Sequence, residues 1–255
     1  MPPVKELHGL DFHKPDPAAA PDYQAAAKDL TAFNRARKAR ELRQFTPTDL
    51  KFMQQYLALR PQSSLDEYAK LFIAKGNLLS GDITPAYSAI QPPRIAEIAT
   101  RFPDTKVIFF ARDPVDRFWS QFCMDLRLKR QEFTADVGQV EKLLRKNWAK
   151  RRSFPTRIVK NWRVHYGRRQ FRVFFFDDLQ GDPAGLRRAV LSFLGADPAK
   201  PSGSLPVDLN RKSGQTRPMP FEIERYLSSY FAKELVQCAS ELGGPARAWA
   251  GKHGL

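Results

Sequence analysis

Cysteine, histidine and long apolar runs are all scarce in this chain of 255 residues. Its two cysteines could form one disulfide at most, which predicts a reducing compartment such as the cytoplasm. Its four histidines show no metal-like spacing with the cysteines, so we predict no metal site. The longest apolar run, Val107–Ala111, is too short to cross a bilayer, and residues 1–12 lack the apolar core of a secretory leader. These absences predict a cytoplasmic protein without a membrane span.

What is present is the composition of a globular protein, with 42% hydrophobic and 12% aromatic residues. Because no repeat or linker is visible, we predict a single domain over residues 1–255. The formal net charge is +15, and most of the excess lies between Arg127 and Arg172, where fifteen Lys/Arg accompany three Asp/Glu. Aromatic residues are interleaved with these cations. The stretch is either a solvated helical face or a surface for a polyanion or an anionic cofactor.

Two apolar runs have the pattern of buried strands. Residues 106–112 (KVIFFAR) follow an amphipathic helix and precede Asp113-Pro114, an N-cap and first-turn proline that predict a helix from Pro114 to about Leu128. Residues 172–176 (RVFFF) precede a second Asp-Pro pair and a helix that ends at Gly195. This order predicts an α/β fold, in which a parallel sheet is covered by helices on both faces.

Weaker patterns complete the predicted fold. Val4–His8 and Leu78–Ile83 are predicted to be strands, and residues 17–75 between them are predicted to be mostly helical and irregular. A last helix is predicted from about Phe221 to Leu242.

The block KVIFFARDPVDRFWSQF at 106–122 resembles the 3′-phosphate-binding motif of sulfotransferases that use 3′-phosphoadenosine 5′-phosphosulfate (PAPS). It is most similar to the carbohydrate and bacterial branch of that family. Four further blocks agree in order, namely VKELHGLDF at 4–12, GDITPAY at 81–87, the segment 173–195, and LNRKSGQTRPMP at 209–220. The resemblance implies a three-layer α/β sulfotransferase fold like that of P-loop NTPases.

The resemblance implies a role for each of these blocks. Arg112 and Ser120 match the arginine and serine that hold the 3′-phosphate, for which a forked guanidinium is well suited. Their structural alternative is an ion pair and an incidental helical serine. In the closing block, Arg211 and Lys212 are candidates for the cofactor's phosphates, and Gly214 would allow close backbone approach.

Glu6 matches the glutamate that carbohydrate-modifying members use as general base. His8 would point to the same side of a strand, so it is either the alternative base or the partner of Glu6. The GDITPAY block departs from the family, which usually has Glu-Lys where this chain has Asp82 and Ile83. Isoleucine cannot replace the lysine that neutralises charge near the sulfonate in the family. Either another cation substitutes, with Lys5 the nearest candidate, or that contact is absent.

A second departure concerns the front of the chain. Family members place a strand and a glycine-rich phosphate loop before the Lys-Glu block, which stands here at residues 5–6. We therefore expect the first strand and phosphate loop to be missing and the domain to be N-terminally incomplete. A misassigned start codon or truncation is the favoured explanation. The other two are a homologue without transfer activity and a 5′ site borrowed from elsewhere in the chain or from a partner.

The leading hypothesis is transfer of a sulfonate from PAPS to a hydroxyl or amine of a carbohydrate or small molecule, without a metal. The product would be adenosine 3′,5′-bisphosphate, and the basic stretch suits an anionic acceptor. The alternative is a basic protein that binds nucleic acid or another polyanion without catalysis, although the sequence contains no known motif that reads nucleic acid. A nucleoside-phosphate kinase would need a Walker lysine and magnesium ligands that the sequence lacks.

Overall fold

The computed structural model describes residues 7, 10–11, 23–39, 44–58, 64–73, 76–128, 136–201 and 217–255. The chain divides into two compact units, an N-terminal unit of residues 1–90 and a C-terminal unit of residues 91–255. Helices predominate in both units, and the described strands form one small parallel sheet. The protein is therefore of the α/β class.

The sheet of the C-terminal unit contains β1 (Val107–Ala111) and β2 (Phe171–Phe175). The strands are parallel and in register, with Val107 opposite Phe171 and Ala111 opposite Phe175. Their carboxyl ends therefore meet at the same edge of the sheet. This edge is where open α/β sheets bind their ligands.

Helices of the C-terminal unit precede, connect and follow the strands. Between α5 and β2 lie the four helices α6 to α9; α10 begins directly after β2. The bounds are α5 (Pro92–Arg101), α6 (Pro114–Leu128), α7 (Val137–Leu144), α8 (Asn147–Arg151), α9 (Pro155–Arg163), α10 (Phe176–Gly181), α11 (Pro183–Leu194), α12 (Phe221–Glu241) and α13 (Trp249–Lys252). A 3₁₀ turn, Gly244–Ala248, precedes α13.

Capping contacts explain several of these boundaries. Asp113 accepts hydrogen bonds from two backbone N–H groups in the first turn of α6, and Asp182 accepts one from Gly185 at the start of α11. Gly195 ends α11 with φ of 78°, a left-handed conformation that glycine adopts without strain. The predicted helices at 114–128 and 183–194 are confirmed. The strands predicted at 106–112 and 172–176 are confirmed within one residue at each end.

The core of the C-terminal unit lies where α6 and α12 pack together. Phe118 and Phe231 are both fully buried, with ring centroids 6.0 Å apart. Ala111 at the end of β1 and Phe175 at the end of β2 belong to the same cluster, as does Trp249. The core therefore fixes the ends of both strands and the 249–253 segment against the same two helices.

The N-terminal unit contains α1 (Tyr23–Lys28), α2 (Leu30–Ala39), α3 (Pro47–Ala58) and α4 (Leu65–Lys70), followed by a 3₁₀ turn over Pro85–Ala89. Ser64 and Glu67 form a reciprocal capping box at the start of α4. The prediction of mostly helical structure before residue 75 is confirmed for the described residues.

One predicted strand is wrong. Residues 78–83 contain no β-strand in the described structure, and Leu78, Leu79 and Ile83 are 73%, 58% and 64% exposed. The apolar pattern suggested burial in a sheet, but side-chain hydrogen bonds to Asp82 organise this segment instead. Val4–His8, the other weakly predicted strand, lies outside the described residues except for Leu7. Among the helices that the structure describes, none has the length and apolarity needed to span a membrane.

Candidate active site

Arg112 leaves the carboxyl end of β1 and lies over the first residue after β2. Its guanidinium carbon is 4.6 Å from the ring centroid of Phe176, a cation–π contact that joins the two strand ends. Within the described chain this guanidinium makes no hydrogen bond or ion pair, so its donors remain available to a ligand. Burial lowers the pKa of Arg112, and the carboxylates of Asp116, Asp113 and Asp177 oppose that shift in part.

Ser120 lies on α6, two turns beyond the Arg112 loop. It is half-buried, and its hydroxyl makes no hydrogen bond to any residue that the structure describes. Asp116 and Arg117 precede it by four and three residues, so all three share one face of the helix. That face is opposite to the one on which Phe118 and Phe122 enter the core. The structure thus presents Arg112 and Ser120 on one strand–loop–helix unit, as the phosphate-binding hypothesis requires.

Arg117 is a site residue that the sequence analysis missed. Its guanidinium donates to Ser153 Oγ at 3.2 Å, Ala149 O at 3.4 Å and Gln121 Oε1 at 3.2 Å, all neutral acceptors. Burial, together with the neighbouring charges of Arg152 and Arg112, lowers the pKa of Arg117 to about 10. Arg117 therefore lies in the positive field of two neighbouring guanidinium groups, those of Arg152 and Arg112. The sequence feature that could have identified Arg117 is its place five residues after Arg112, within the segment RDPVDR.

Behind Arg112, Asp113 takes part in a buried network that was also missed. Asp113 Oδ2 lies 2.8 Å from His253 Nε2 and 3.4 Å from Lys252 Nζ. Burial alone would raise the pKa of the Asp113 carboxyl, but the hydrogen bond and charge of His253, the charge of Lys252 and the Val115 N–H together lower it. No local pattern links residues 113 and 253, so only the first role of Asp113, as an N-cap, was visible in the sequence.

In the N-terminal unit, Asp82 organises the GDITPAY segment. It accepts hydrogen bonds from the hydroxyls of Thr84 at 2.9 Å, Tyr68 at 3.1 Å and Tyr87. Burial, followed by the nearby charge of Asp82, raises the pKa of the Tyr87 hydroxyl, and burial also raises the pKa of the Tyr68 hydroxyl. Both hydroxyls therefore keep their protons and remain donors. Asp82 also accepts from the backbone N–H of Leu7 at 3.3 Å. This contact ties Leu7, the residue after Glu6 in the sequence, to the GDITPAY segment.

Six predicted site residues lie outside the described residues. Lys5, Glu6 and His8 flank the described and fully buried Leu7. Arg211, Lys212 and Gly214 belong to the segment 202–216. The chain is described again from Arg217, whose carbonyl accepts a hydrogen bond from Trp119 Nε1 at 2.9 Å. The described end of the closing block, which begins at Arg217, therefore lies against α6 beside Trp119, the neighbour of Ser120.

The fold is similar to that of a solved sulfotransferase. The crystal structure of a sulfotransferase from Alicyclobacillus acidocaldarius aligns with 97% of this chain and 87% of its own at 20% identity and a TM-score of 0.62. This likeness establishes the fold. A sequence model described as the sulfotransferase family matches residues 9–200. No curated protein matches the chain. The chain belongs to the sulfotransferase family.

Proposed function

We propose that this sulfotransferase takes its sulfonate from PAPS and transfers it to a hydroxyl or amine acceptor. The observation that carries the proposal is the Arg112 guanidinium at the joined ends of β1 and β2, whose donors no described residue occupies. The field of Arg117 and Arg152 adds to its attraction for a phosphate. A forked cation beside a helix-borne hydroxyl fits the 3′-phosphate that distinguishes PAPS from other adenine nucleotides.

In the proposed reaction each candidate site residue has a defined role. Bound PAPS supplies the sulfonate and a leaving group, adenosine 3′,5′-bisphosphate. Arg112 and Ser120 hold the 3′-phosphate, while Arg211 and Lys212 bind the other phosphates and Gly214 allows their approach. Glu6 takes the acceptor proton, with His8 as its partner or as the alternative base. Lys5 balances charge near the sulfonate, in place of the lysine that Ile83 cannot supply. No metal is required by these tasks.

The proposal extends to the whole chain. Both units fall within the 97% of residues that align with the solved sulfotransferase, which supports one sulfotransferase-like domain over 1–255. We propose a three-layer sheet related to that of P-loop NTPases and a cytoplasmic location.

Nucleotide binding tests the proposed donor. The wild-type chain should bind adenosine 3′,5′-bisphosphate more tightly than adenosine 5′-monophosphate (AMP), because only the former presents a phosphate to Arg112 and Ser120. Titration calorimetry of both nucleotides measures the preference. Equal affinities would contradict the proposed 3′-phosphate site, whatever the acceptor.

The acceptor class is suggested by a basic row on α9. Arg157, Lys160 and Arg163 recur every three residues and are exposed, whereas Ile158 and Trp162 on the opposite face are buried. None of the three cations has an acidic partner among the described residues. A sugar or small molecule that already carries carboxylates or sulfates would be attracted to such a row.

The same region argues against nucleic-acid binding as the main role. Trp162 and Tyr166 are 5% and 1% exposed, and Phe154 packs on Phe231 in the core at 5.5 Å between centroids. Single-stranded nucleic acid binds through exposed aromatic platforms. These three aromatic residues of the basic stretch cannot provide one.

Neutralising the row tests the anionic acceptor. The triple variant R157Q/K160Q/R163Q should elute from heparin at distinctly lower salt than the wild type, with unchanged affinity for adenosine 3′,5′-bisphosphate. The matched control is R188Q/R225Q/K233Q, which removes the same charge from exposed positions on α11 and α12. If both triple variants elute together, the row is not the contact. Arg152 is left intact because it adjoins Arg117.

A further inference from the structure

The carboxylate of Asp113 is held on both of its oxygens and is only 3% exposed. Oδ1 accepts hydrogen bonds from the N–H groups of Val115 at 2.9 Å and Asp116 at 3.4 Å, at the start of α6. Oδ2 faces His253 Nε2 at 2.8 Å. Two-sided contact of this kind fixes the orientation of Asp113, and with it the backbone that carries Arg112.

His253 is itself held between two carboxylates. Its imidazole is completely buried, and Nδ1 lies 3.1 Å from Glu224 Oε1 on α12. A protonated imidazole carries N–H on both nitrogens and can donate to both acids at once. Lys252 adds a second cation, with Nζ 2.5 Å from Asp116 Oδ2.

The segment 249–253 also contacts the first turn of α10, which directly follows β2. Trp249 Nε1 donates to Asp177 Oδ1 at 3.1 Å, and Trp249 is almost fully buried. Asp177 follows Phe176, the residue beneath the Arg112 guanidinium. The first acidic residue after each strand is therefore bonded to this one segment, Asp113 by His253 and Asp177 by Trp249.

We propose that His253 is a positioning residue for Arg112. Residues 249–253 hold together the two segments of the phosphate site that directly follow β1 and β2. The inference rests on the proposed function, because it takes Arg112 as the group that binds the 3′-phosphate. His253 acts through Asp113. A guanidinium whose backbone is already fixed loses less conformational freedom on binding, so fixing it raises affinity.

The charge of His253 links this contact to pH. Burial opposes protonation, but hydrogen bonds and charge from Asp113 and Glu224 outweigh it and raise the pKa of His253, against the repulsion of Lys252. Asp116, which pairs with Lys252, and Arg112, on which the charges of Asp113 and Asp116 act, are the other charged groups of the array. Because the folded pKa is raised, the contribution is complete below about 6.5 and is lost as pH rises through the folded value. The lowered pKa of Asp113 sets the acid limit, below which its carboxylate is protonated.

Two variants of His253 and a control test the role. H253A should reduce the preference for adenosine 3′,5′-bisphosphate over AMP by about tenfold, the effect of a lost charge-assisted hydrogen bond. H253Q should restore only part of it, since the amide N–H can still reach Asp113 but lacks the positive charge of the imidazolium. The control is T156A, which removes the two buried hydrogen bonds that the Thr156 hydroxyl makes to Glu234, between α9 and α12. It should lower the melting temperature and leave the preference intact.

A pH series supplies a readout that simple loosening of the fold would not give. The wild-type preference should fall towards that of H253Q as pH rises above about 6.5, whereas that of H253Q should lack this fall. The second ionisation of the ligand phosphate, near pH 6, affects both proteins equally and cancels in their comparison.

Each outcome decides a different question. If the wild type prefers the bisphosphate and H253A keeps that preference, the inference is wrong while the proposed function stands. Equal loss in T156A would also overturn it, since general destabilisation would then suffice. If the wild type shows no preference, the proposed function itself fails. Should H253A not fold, the pH series of wild type and H253Q decides, and identical series would reject the role of His253.

Discussion

Replacing Arg112 with alanine is expected to weaken binding of adenosine 3′,5′-bisphosphate about tenfold to a hundredfold. Hydrogen bonds to a charged phosphate contribute roughly 1.5–3 kcal/mol, and this substitution removes the forked donor that the structure leaves available at the strand ends. AMP affinity should change little, because AMP lacks the 3′ group. R112K should fall between the two proteins, since it keeps the charge without the fork. Titration calorimetry measures all three.

Arg172 provides a matched control for that experiment. It is an exposed arginine on β2 whose guanidinium carbon lies 5.7 Å from the Phe174 ring, so it shares the residue type, the sheet and the aromatic contact. R172A should bind both nucleotides as the wild type does. If R112A binds the bisphosphate normally, or R172A loses as much affinity, Arg112 is not the 3′-phosphate ligand.

Replacing Glu6 with glutamine is expected to lower kcat for sulfonate transfer about a hundredfold to ten-thousandfold, the usual range for a general base. The amide keeps the size of the side chain but cannot accept the acceptor's proton at neutral pH. Nucleotide affinity should be unchanged, so the loss should fall in turnover and not in binding. E97Q, a change at an exposed glutamate paired with Arg94, should leave turnover normal.

The variant H8A distinguishes whether Glu6 or His8 is the general base. If His8 only orients Glu6, H8A should cost less than E6Q, and the rate should rise with pH through about 4–5, as expected for a carboxylate. A rise through about 6.5, with near-normal turnover in E6Q and a large loss in H8A, would make His8 the base. The fold and the nucleotide assignment would be unaffected by that outcome.

Local chemistry made much of the fold predictable. The Asp113-Pro114 pair fixed the start of α6 because an N-cap and a first-turn proline act within a few residues. Gly195 marked the end of α11 for a similarly local reason. The strand prediction for Leu78–Ile83 was wrong because the apolar residues of this segment are exposed and its Asp82 accepts hydrogen bonds from side chains outside it. That carboxylate, Asp82, gathers partners from Leu7 to Tyr87.

The candidate site likewise combines features set by local sequence with contacts between residues far apart in the chain. Arg112 and Ser120 lie eight residues apart in one motif, so the sequence presents them together. Arg117 stood in that motif, yet its role depends on Ser153 and Arg152, which only the packing of α8 brings near. His253 was invisible because its partners Asp113 and Glu224 are 140 and 29 residues away. Contacts of that range follow from tertiary structure, which local patterns do not encode.

The pairing of β1 with β2 has a consequence for how the chain is made. Val107 and its partner Phe171 are separated by four helices, so closing the sheet carries the entropic cost of a long loop and is intrinsically slow. During synthesis on the ribosome, β1 cannot pair until β2 has been made. The side of α6 that carries Phe118 cannot pack until Phe231 on α12 has been made, which is later still. During that interval the nascent chain displays the apolar surface of β1 and α6, which is when chaperones are most needed.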